Sequence, residues 1–298
     1  MKNLFGNIIN SITLTTMVFI TILLSSCLKK PEAIIYCDNP TGSPDERICF
    51  YNYSEHAKNF HLDFGDNTST DEEGTYGIIH SYSEIGTYTV ILTAYDRKIE
   101  KGDTHTITVT ITENETGTFI DTRDGKIYKT VKIDNRIWMA ENLNYDCGSG
   151  CYDYDNDTAN SNIYGKLYTW EKAQTVAPLG WHLPTKMEWE ALSRFYGSSA
   201  GGGALKATGT TYWESPNTGA TNGSGFNVLP AGIYFNDGIT TCFSFMNEQT
   251  YFWKEYDDLN DAIACVILKY DSENFSGSYM SETCGCSVRL VSDELFLD

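Results

Sequence analysis

Strict alternation of apolar and polar residues in two neighbouring stretches constrains the first part of this 298-residue chain more than any other feature. The stretches read "TYTVILTAYD" and "THTITVTIT". The residues that alternate onto one face of each strand are Val90, Leu92, Ala94, Ile107, Val109 and Ile111. Such strands, separated by turns rich in Gly, Asn and Asp, predict a β-sandwich over residues 33–113.

The same segment carries the motifs "HLDFGDNTST" and "IIHSYSEIGTYTVILTAYD". With these motifs it resembles a PKD domain, an immunoglobulin-like sandwich found in many cell-surface proteins. The matching residues are Asp63, Phe64, Gly65, Asp66, His80, Tyr82, Gly86, Tyr88 and Val90. Leu62 stands where that family usually has Trp, and Asn67 stands where it usually has Gly. The resemblance implies a spacer or an accessory binding module.

The sequence changes character from residue 117 onward, with short strands, long polar loops and few helical stretches. The clearest helical signal is "GWHLPTKMEWEAL", in which Thr185 is a good N-cap and Glu188 completes the capping-box spacing. The stretch "YGKLYTWEKA" also has apolar residues at helix-like spacing. Few helices among many short strands predict an α+β domain over residues 117–298.

Segments in this part of the chain resemble, in order, those of the Fibrobacter succinogenes major paralogous domain. They are "DTRDGKIYKTVKI", "IWMAENLNYD", "YGKLYTW", "GWHLPTKMEWEAL", "GFNVLPAG", "YFW" and "SVRLV". That family looks like a relative of C-type lectin-like folds, which include the formylglycine-generating enzymes. The predicted fold class is therefore an N-terminal all-β immunoglobulin-like sandwich plus a C-terminal α+β C-type lectin-like domain.

The N-terminus has the pattern of an export signal, because Lys2 precedes an apolar stretch that ends in "LSSC". This ending resembles the lipobox of bacterial lipoproteins, in which the Cys is lipidated after cleavage. The resemblance implies a signal peptide over residues 1–26, lipidation of Cys27 and a lipid-anchored tether over residues 27–32. By resemblance to the sorting rule of these lipoproteins, Leu28 in place of Asp favours the outer membrane of a Gram-negative bacterium. We expect a location at the cell surface, and the sequence leaves open whether the protein faces the periplasm or the outside. An ordinary signal peptide and a membrane span are the alternatives.

The chain is strongly acidic, with 40 Asp and Glu against 21 Lys and Arg and a formal net charge of −19. This balance argues against a nucleic-acid partner, because phosphate binding needs a basic face. Aromatic residues make up 13% of the chain, and Tyr and Trp suit extracellular binding surfaces. The expected partners are the membrane, through the lipid on Cys27, and an extracellular polysaccharide or protein.

Eight cysteines remain besides Cys27, an even number that predicts disulfides in an oxidising compartment. Sequence proximity favours the pairs Cys37–Cys49 and Cys147–Cys151. The other four would pair among themselves in an order that the sequence leaves open, and they are Cys242, Cys265, Cys284 and Cys286.

No cofactor is expected. Asp153, Asp155 and Asp157 are weak calcium candidates, since alternating carboxylates can converge on this ion. Thr158, however, holds the position where an EF-hand loop needs Gly, and Tyr164 replaces its bidentate Glu. We therefore interpret this stretch as a solvated acidic loop.

Trp213 has the best claim of the tryptophans to exposure, because it lies in a loop rich in Gly, Asn and Thr. With Glu214 and Asn217 it forms the candidate ligand-binding set, an aromatic platform beside a carboxylate and an amide. No catalytic residue is predicted. The formylglycine-generating relatives bind copper through two late cysteines, so the resemblance leaves a copper-dependent oxidase open at Cys284 and Cys286.

Together these features predict a cell-surface lipoprotein with a non-catalytic binding or adhesion role, in which a PKD-like stalk presents a lectin-like head. An enzyme related to the formylglycine-generating oxidases and a purely structural envelope component are the alternatives. Fully oxidised cysteines would argue against the first alternative, and a specific ligand would argue against the second.

Overall fold

The computed structural model describes residues 29–73, 77–95, 102–236, 238–255 and 263–295. The predicted signal peptide and the predicted lipidation site, Cys27, lie outside the described residues. The chain divides into two compact units. The first contains the described residues of 1–36, 50–77 and 89–107, and the second contains those of 37–49, 78–88 and 108–298. No helix in the described ranges combines the length and the hydropathy that a membrane-spanning segment needs.

The N-terminal part of the chain consists of strands joined by turns. The strands are β1 (Ile35–Cys37), β2 (Thr41–Gly42), β3 (Ile48–Asn52), β4 (Asn59–Asp63), β5 (Ser69–Glu73), β6 (Gly77–His80), β7 (Gly86–Tyr95) and β8 (Asp103–Ile111). One sheet has the order β1-β3-β6 and another has the order β2-β8-β7-β4-β5. Within the described residues of this part the regular elements are all strands, as the alternation predicts.

The alternating residues form the core of these sheets. Val90 and Leu92 of β7 are buried, while the residues between them are half-buried. Val109 near the end of β8 is buried in the same way. The rings of Phe50 and Phe64, with centroids 5.6 Å apart, add aromatic contact to the core. The pattern of period two therefore marks the inward face of each strand.

The C-terminal part contains more strands and a few short helices. The strands are β9 (Thr116–Ile120), β10 (Ile127–Ile133), β11 (Arg136–Met139), β12 (Cys151–Tyr152), β13 (Leu167–Tyr168), β14 (Trp181–His182), β15 (Ala231–Asn236), β16 (Thr241–Met246), β17 (Gln249–Trp253), β18 (Ala264–Lys269), β19 (Ser276–Tyr279), β20 (Cys286–Ser287) and β21 (Val291–Leu295). The helices are α1 (Thr158–Tyr164), α2 (Trp170–Ala173), α3 (Lys186–Phe195) and α4 (Gly202–Leu205), with 3-10 turns at Tyr154–Asn156 and Ser198–Gly201.

These strands belong to two sheets that the chain connects near its end. One sheet has the order β14-β21-β11-β10-β9. The other has the order β12-β13-β20-β17-β15-β16, with β18 paired to β17 and β19 paired to β18. The chain leaves the second sheet at β20 and enters the first at β21, so residues 288–290 lie at the junction of the two sheets.

The predicted C-terminal α+β C-type lectin-like domain is wrong. The structure is mostly β-sandwich, with 41% strand and 13% helix. The stretch "YGKLYTWEKA", in which apolar spacing suggested a helix, forms β13 and the four-residue helix α2. Gly165, the second residue of this stretch, has a φ of 76° and ends α1 before β13 begins. Three apolar residues at helical spacing are too few to nucleate a helix against the pairing of a neighbouring strand.

The helix start predicted at Thr185 is confirmed. The Thr185 hydroxyl accepts a hydrogen bond from the Glu188 main-chain N–H at 3.1 Å, and the Glu188 carboxylate accepts one from the Thr185 N–H at 2.8 Å. Trp189, one residue later, is buried and packs against the rings of Trp138 and Phe252, with centroids 5.3 and 5.6 Å away. The capping box thus begins a helix that covers an aromatic core.

A charged network surrounds this capping box. His182 Nε2 lies 3.1 Å from Glu188 Oε1, and His182 Nδ1 lies 2.5 Å from Asp293 Oδ1. Arg136 forms an ion pair with Glu188 at 2.7 Å. The hydrogen bond to Glu188, helped by the one to Asp293, raises the pKa of His182. Burial opposes ionisation of Glu188, but hydrogen bonds from His182 and Thr185 outweigh it and lower the Glu188 pKa.

Protonated His182 should stabilise the fold in mildly acidic solution. A histidine with a raised folded pKa contributes its full stability below the unfolded value of about 6.5 and loses it as pH rises through the folded pKa. We expect His182→Gln to lower Tm by about 2–4 °C near pH 5.5, the equivalent of roughly 1 kcal/mol. The difference should shrink near pH 8.5. A difference that stays constant or grows between these pH values would contradict the network.

Candidate functional site

A cleft of about 240 Å³ opens on the second unit, and we name it the Asn cleft. Its residues include Asn142, Asn144, Asn162 and Asn227, with Lys126, Ile127, Glu141, Ile163, Gly165 and Arg289. They come from the start of β10, from the segment after β11, from the end of α1, from the segment before β15 and from the segment between β20 and β21. The segments "ENLNYD", "YGKL", "GFNVLP" and "SVRLV", which carry the family resemblance, therefore converge on this cleft.

Arg289 forms the floor of the Asn cleft and is only 1% exposed. Its Nε donates a hydrogen bond to Asn142 Oδ1 at 2.7 Å. Nη1 donates to the carbonyl oxygens of Met139, at 3.3 Å, and Phe226, and Nη2 donates to that of Asn227 at 3.0 Å. The guanidinium therefore holds the chain after β11 and the loop before β15 in fixed positions around the cleft.

The buried charge of Arg289 is balanced by oxygen atoms and by an aromatic ring. Burial lowers the pKa of Arg289 to about 9, so the side chain stays protonated at neutral pH. The guanidinium carbon lies 4.5 Å from the centre of the Phe226 ring, within cation–π distance. The carbonyl dipoles and the ring take the place of the water that the charge loses on burial.

Three amides of the Asn cleft keep their hydrogen-bonding groups available. Asn162 is exposed, and Asn144 and Asn227 are half-buried. In the described part of the chain, none of these three side chains forms a hydrogen bond, and the contacts of Asn144 and Asn227 are made by their main chains. Asn142 differs, because it donates to Tyr164 O at 2.8 Å and accepts from Arg289. Each available amide offers two donors and one acceptor oxygen.

Charged and apolar groups complete the cleft. Lys126 Nζ donates to the main-chain carbonyl of Asn144, and Glu141 Oε2 accepts from a main-chain N–H at 2.9 Å. Ile127 is 63% exposed and Ile163 is 50% exposed, so both offer apolar area beside the polar groups. A concave site with several amides, one carboxylate and small apolar surfaces suits a polyhydroxylated ligand.

Both parts of the chain match known protein families. The family described as the Fibrobacter succinogenes major domain matches residues 131–292, which is more than half of the chain. The chain belongs to the Fibrobacter succinogenes major domain family. The PKD domain matches residues 42–109. The predicted resemblances to these two families are confirmed.

Solved structures give distant likenesses to this Fibrobacter succinogenes major domain protein. A PKD domain of an M14-like peptidase from a Thermoplasmatales archaeon is 17% identical, with a TM-score of 0.22, over 28% of this chain and 94% of that one. A carbohydrate-binding module of the β-sandwich superfamily is 12% identical, with a TM-score of 0.26, over 91% and 94%. The Yersinia pseudotuberculosis adhesin InvE is 9% identical, with a TM-score of 0.24, over 87% and 70%. At such TM-scores the likeness carries no argument about function. Comparison with curated proteins finds no match.

The exposure predicted for Trp213 is wrong. Trp213 is 1% exposed, and its Nε1 donates to Val228 O at 2.9 Å. Asn217 is buried too, and its Nδ2 donates to two main-chain carbonyls at 2.8 and 2.9 Å. Glu214 alone of the predicted set is exposed. The large apolar area of the indole draws it into the core although the loop around it is polar.

Trp213 lies beside a buried lysine that sequence reasoning missed. Lys206 Nζ is 5.4 Å from the centre of the Trp213 ring. It donates to the carbonyl oxygens of Thr218, Lys269 and Ser272 at 2.8, 3.0 and 2.9 Å. Burial lowers the pKa of Lys206 to about 8. This ammonium ties the loop after Trp213 to the end of β18, which is a structural role.

The weak calcium candidates do not converge on one point. Asp153 Oδ1 lies 2.6 Å from Lys166 Nζ, and Asp157 caps α1 by accepting from the Ala159 N–H at 2.9 Å. Asp155 is exposed, in a 3-10 turn. Across the described ranges, no three His, Cys, Asp or Glu side chains are grouped so that they could hold a metal ion.

The structure brings Cys147 and Cys151 together. The Cys147 N–H donates to Cys151 Sγ at 3.0 Å. Cys37 lies on the buried face of β1, whereas Cys49 lies on the half-buried face of β3. The disulfide pairings stay a prediction.

The later cysteines occupy different surroundings. Cys242 is exposed on β16, while Cys265, Cys284 and Cys286 are buried. The thiols of Cys265 and Cys286, on strands at either side of β17, share a hydrogen bond that lowers the pKa of Cys265. Cys284 Sγ lies 3.5 Å from the main chain of Asn236. The two residues of the copper alternative thus contact different neighbours.

Sequence reasoning did not find Arg289 or the asparagines of the Asn cleft. The sequence did contain a signal for Arg289, which stands in the apolar run "SVRLV". An Arg in such a run is expected to be buried, and a buried Arg needs hydrogen-bond partners for its donors. The partner Asn142 stands 147 residues earlier, so no local pattern connects the two.

Removing Arg289 should destabilise the C-terminal part severely. Arg289→Met removes the donor to Asn142 Oδ1 and to three main-chain carbonyls, and leaving a buried acceptor unpaired costs about 1–3 kcal/mol, so we expect a loss of about 3–5 kcal/mol in the free energy of unfolding. The stability of Arg289→Lys should lie between that of the wild type and that of Arg289→Met. Its ammonium keeps the charge but cannot reproduce the planar arrangement of donors. Urea unfolding checks this, with the exposed Arg194→Met as the matched control. An Arg289→Met variant as stable as the control would disprove the anchoring role.

Proposed function

We propose that this protein is a surface-anchored, non-catalytic binding protein that holds a saccharide unit of an extracellular polysaccharide in its Asn cleft. The PKD domain would act as the stalk, and the C-terminal part as the binding head. The membership of the Fibrobacter succinogenes major domain family and the match to a PKD domain are consistent with a binding or adhesion role in general. The saccharide is proposed from the chemistry of the cleft.

The amides of Asn144, Asn162 and Asn227 are the single observation that carries this proposal. Sugar hydroxyls donate and accept hydrogen bonds at once, and a side-chain amide offers both kinds of partner at a fixed separation. Glu141 adds an acceptor for a further hydroxyl. The exposed isoleucines offer apolar area for the C–H face of a pyranose ring.

The rigidity of the cleft supports the same proposal. Arg289 fixes the side chain of Asn142 and the main chain at Asn227. A site that is already ordered avoids the entropic cost of arranging its groups on binding. The convergence of four family segments on the cleft adds to this, since these segments set its shape.

Removing two amides should abolish most of the binding. We expect a glycan-array screen of the full-length chain to find a saccharide ligand, and Asn144→Ala/Asn162→Ala to bind it at least about tenfold more weakly in calorimetric titration. Asn274→Ala, at an exposed asparagine outside the cleft, is the matched control and should bind normally.

Other outcomes would favour other functions. A ligand that the double variant binds with unchanged affinity occupies a different site and contradicts the proposal. Chemical turnover of the ligand would support the enzyme alternative. Consistent absence of any ligand across saccharide and protein screens would support a structural envelope component.

We further propose that Cys27 carries a lipid that anchors the protein to the outer membrane, facing the outside. The "LSSC" ending and Leu28 support this location. A surface location would also match the net charge of −19 and the expected saccharide partner.

Lipidation makes a direct prediction. A clickable palmitate analogue should label the wild-type protein in its host and place it in the outer-membrane fraction. Cys27→Ser should remove the label, because acylation needs this thiol, whereas Cys242→Ser, at an exposed cysteine, should keep it. Labelling that survives Cys27→Ser would show that the anchor is elsewhere.

A further inference from the structure

A second cavity, of about 370 Å³, lies along α3, and we name it the α3 groove. One of its walls is a single face of the helix, with residues spaced i, i+4, i+7 and i+8, namely Lys186, Glu190, Ser193 and Arg194. Lys254, just after β17, and Ser276, on β19, stand among the other lining residues. None of these residues lines the Asn cleft.

The charge of the α3 groove is opposite to that of the whole chain. Acidic residues outnumber basic ones by 40 to 21 overall, yet three basic side chains and one acidic side chain line this groove. Neither Arg194 nor Lys254 forms an ion pair with any other described residue. Grouped positive charges repel one another. An anion placed between them would turn this repulsive electrostatic energy into an attractive one.

Trp189 lines the same groove and has a hydrogen-bond donor without a partner. It is 2% exposed, and its Nε1–H meets no acceptor among the described residues. Leaving a buried donor unpaired is costly, and the large majority of such groups are paired in folded proteins. Contacts with Trp138 and Phe252 fix the ring. The indole is therefore a fixed wall of the groove, and its N–H resonance reports on what enters the groove.

We propose that the α3 groove binds an acidic saccharide through its carboxylate or sulfate group. Arg194 offers a planar pair of donors to the oxyanion, and Lys254 adds a point charge. Glu190 accepts from hydroxyl groups of the same ligand, which a simple inorganic anion lacks. Only the saccharide part rests on the proposed function, since the oxyanion contacts do not depend on the Asn cleft.

The test compares sugars that differ in one group. The full-length protein is titrated with glucuronate, glucose 6-sulfate and glucose, and the indole N–H cross-peak of Trp189, assigned with Trp189→Phe, is followed by NMR. We expect at least one of the two anions to shift this peak and to bind at least about tenfold more tightly than glucose. The two anions distinguish a carboxylate from a sulfate ligand.

Charge variants locate the site. Arg194→Gln/Lys254→Gln should weaken anion binding at least about tenfold, because both charged donors are lost. Lys29→Gln/Lys58→Gln changes the net charge equally at two exposed lysines outside the groove and should change the affinity less than about twofold. Asn144→Ala/Asn162→Ala should leave anion binding intact, so the failure of one site can be told from the failure of the other.

Three results would overturn the proposal. Equal affinity for the anions and glucose would show that the site does not recognise the oxyanion. Anion binding that survives Arg194→Gln/Lys254→Gln would place the site elsewhere. An equal loss of anion affinity in Lys29→Gln/Lys58→Gln would show that the effect comes from the overall charge of the protein and not from the groove.

Discussion

A buried guanidinium at the junction of two sheets is the interaction on which the C-terminal part depends most. Arg289 lies between β20 of one sheet and β21 of the other. A charge in this position is tolerable only if hydrogen bonds replace the water that it loses, and Arg289 uses four of its five N–H donors on Asn142 and on carbonyls at Met139, Phe226 and Asn227. The same bonds that satisfy the charge therefore set the shape of the Asn cleft.

The two proposed sites of this part would select ligands by different physical interactions. The Asn cleft presents neutral amides on a rigid floor, so its affinity should depend on the directions of hydrogen bonds and little on salt. The α3 groove presents Arg194 and Lys254, so its affinity should fall as ionic strength rises. One protein with both sites could hold neutral and acidic units of a mixed polysaccharide, and two weak sites on one chain gain affinity when they engage the same polymer.

Local patterns predicted those elements whose stabilising contacts are local. The alternation around Val90 marks a strand with one buried face, and the capping box at Thr185 needs only the next three residues. The C-terminal fold class was not predictable in this way, because strands such as β12, β13 and β20 are two residues long and show no period. Trp213 was predicted to be exposed because its loop is polar, whereas its burial depends on Val228 and on distant core residues. The Arg289–Asn142 contact joins positions that only the complete fold brings together.

The most direct test of the Asn cleft is a map of side-chain amide resonances during titration with the saccharide selected on the array. The NH₂ cross-peaks of Asn144, Asn162 and Asn227 should shift with one common Kd, while those of Asn217 and Asn274 stay in place. The contradicting result is a set of shifts confined to other amides, such as Gln174 and Asn236 in a further cavity of about 450 Å³. That outcome would leave Arg289 as a structural anchor and would move the ligand away from the cleft it holds in shape.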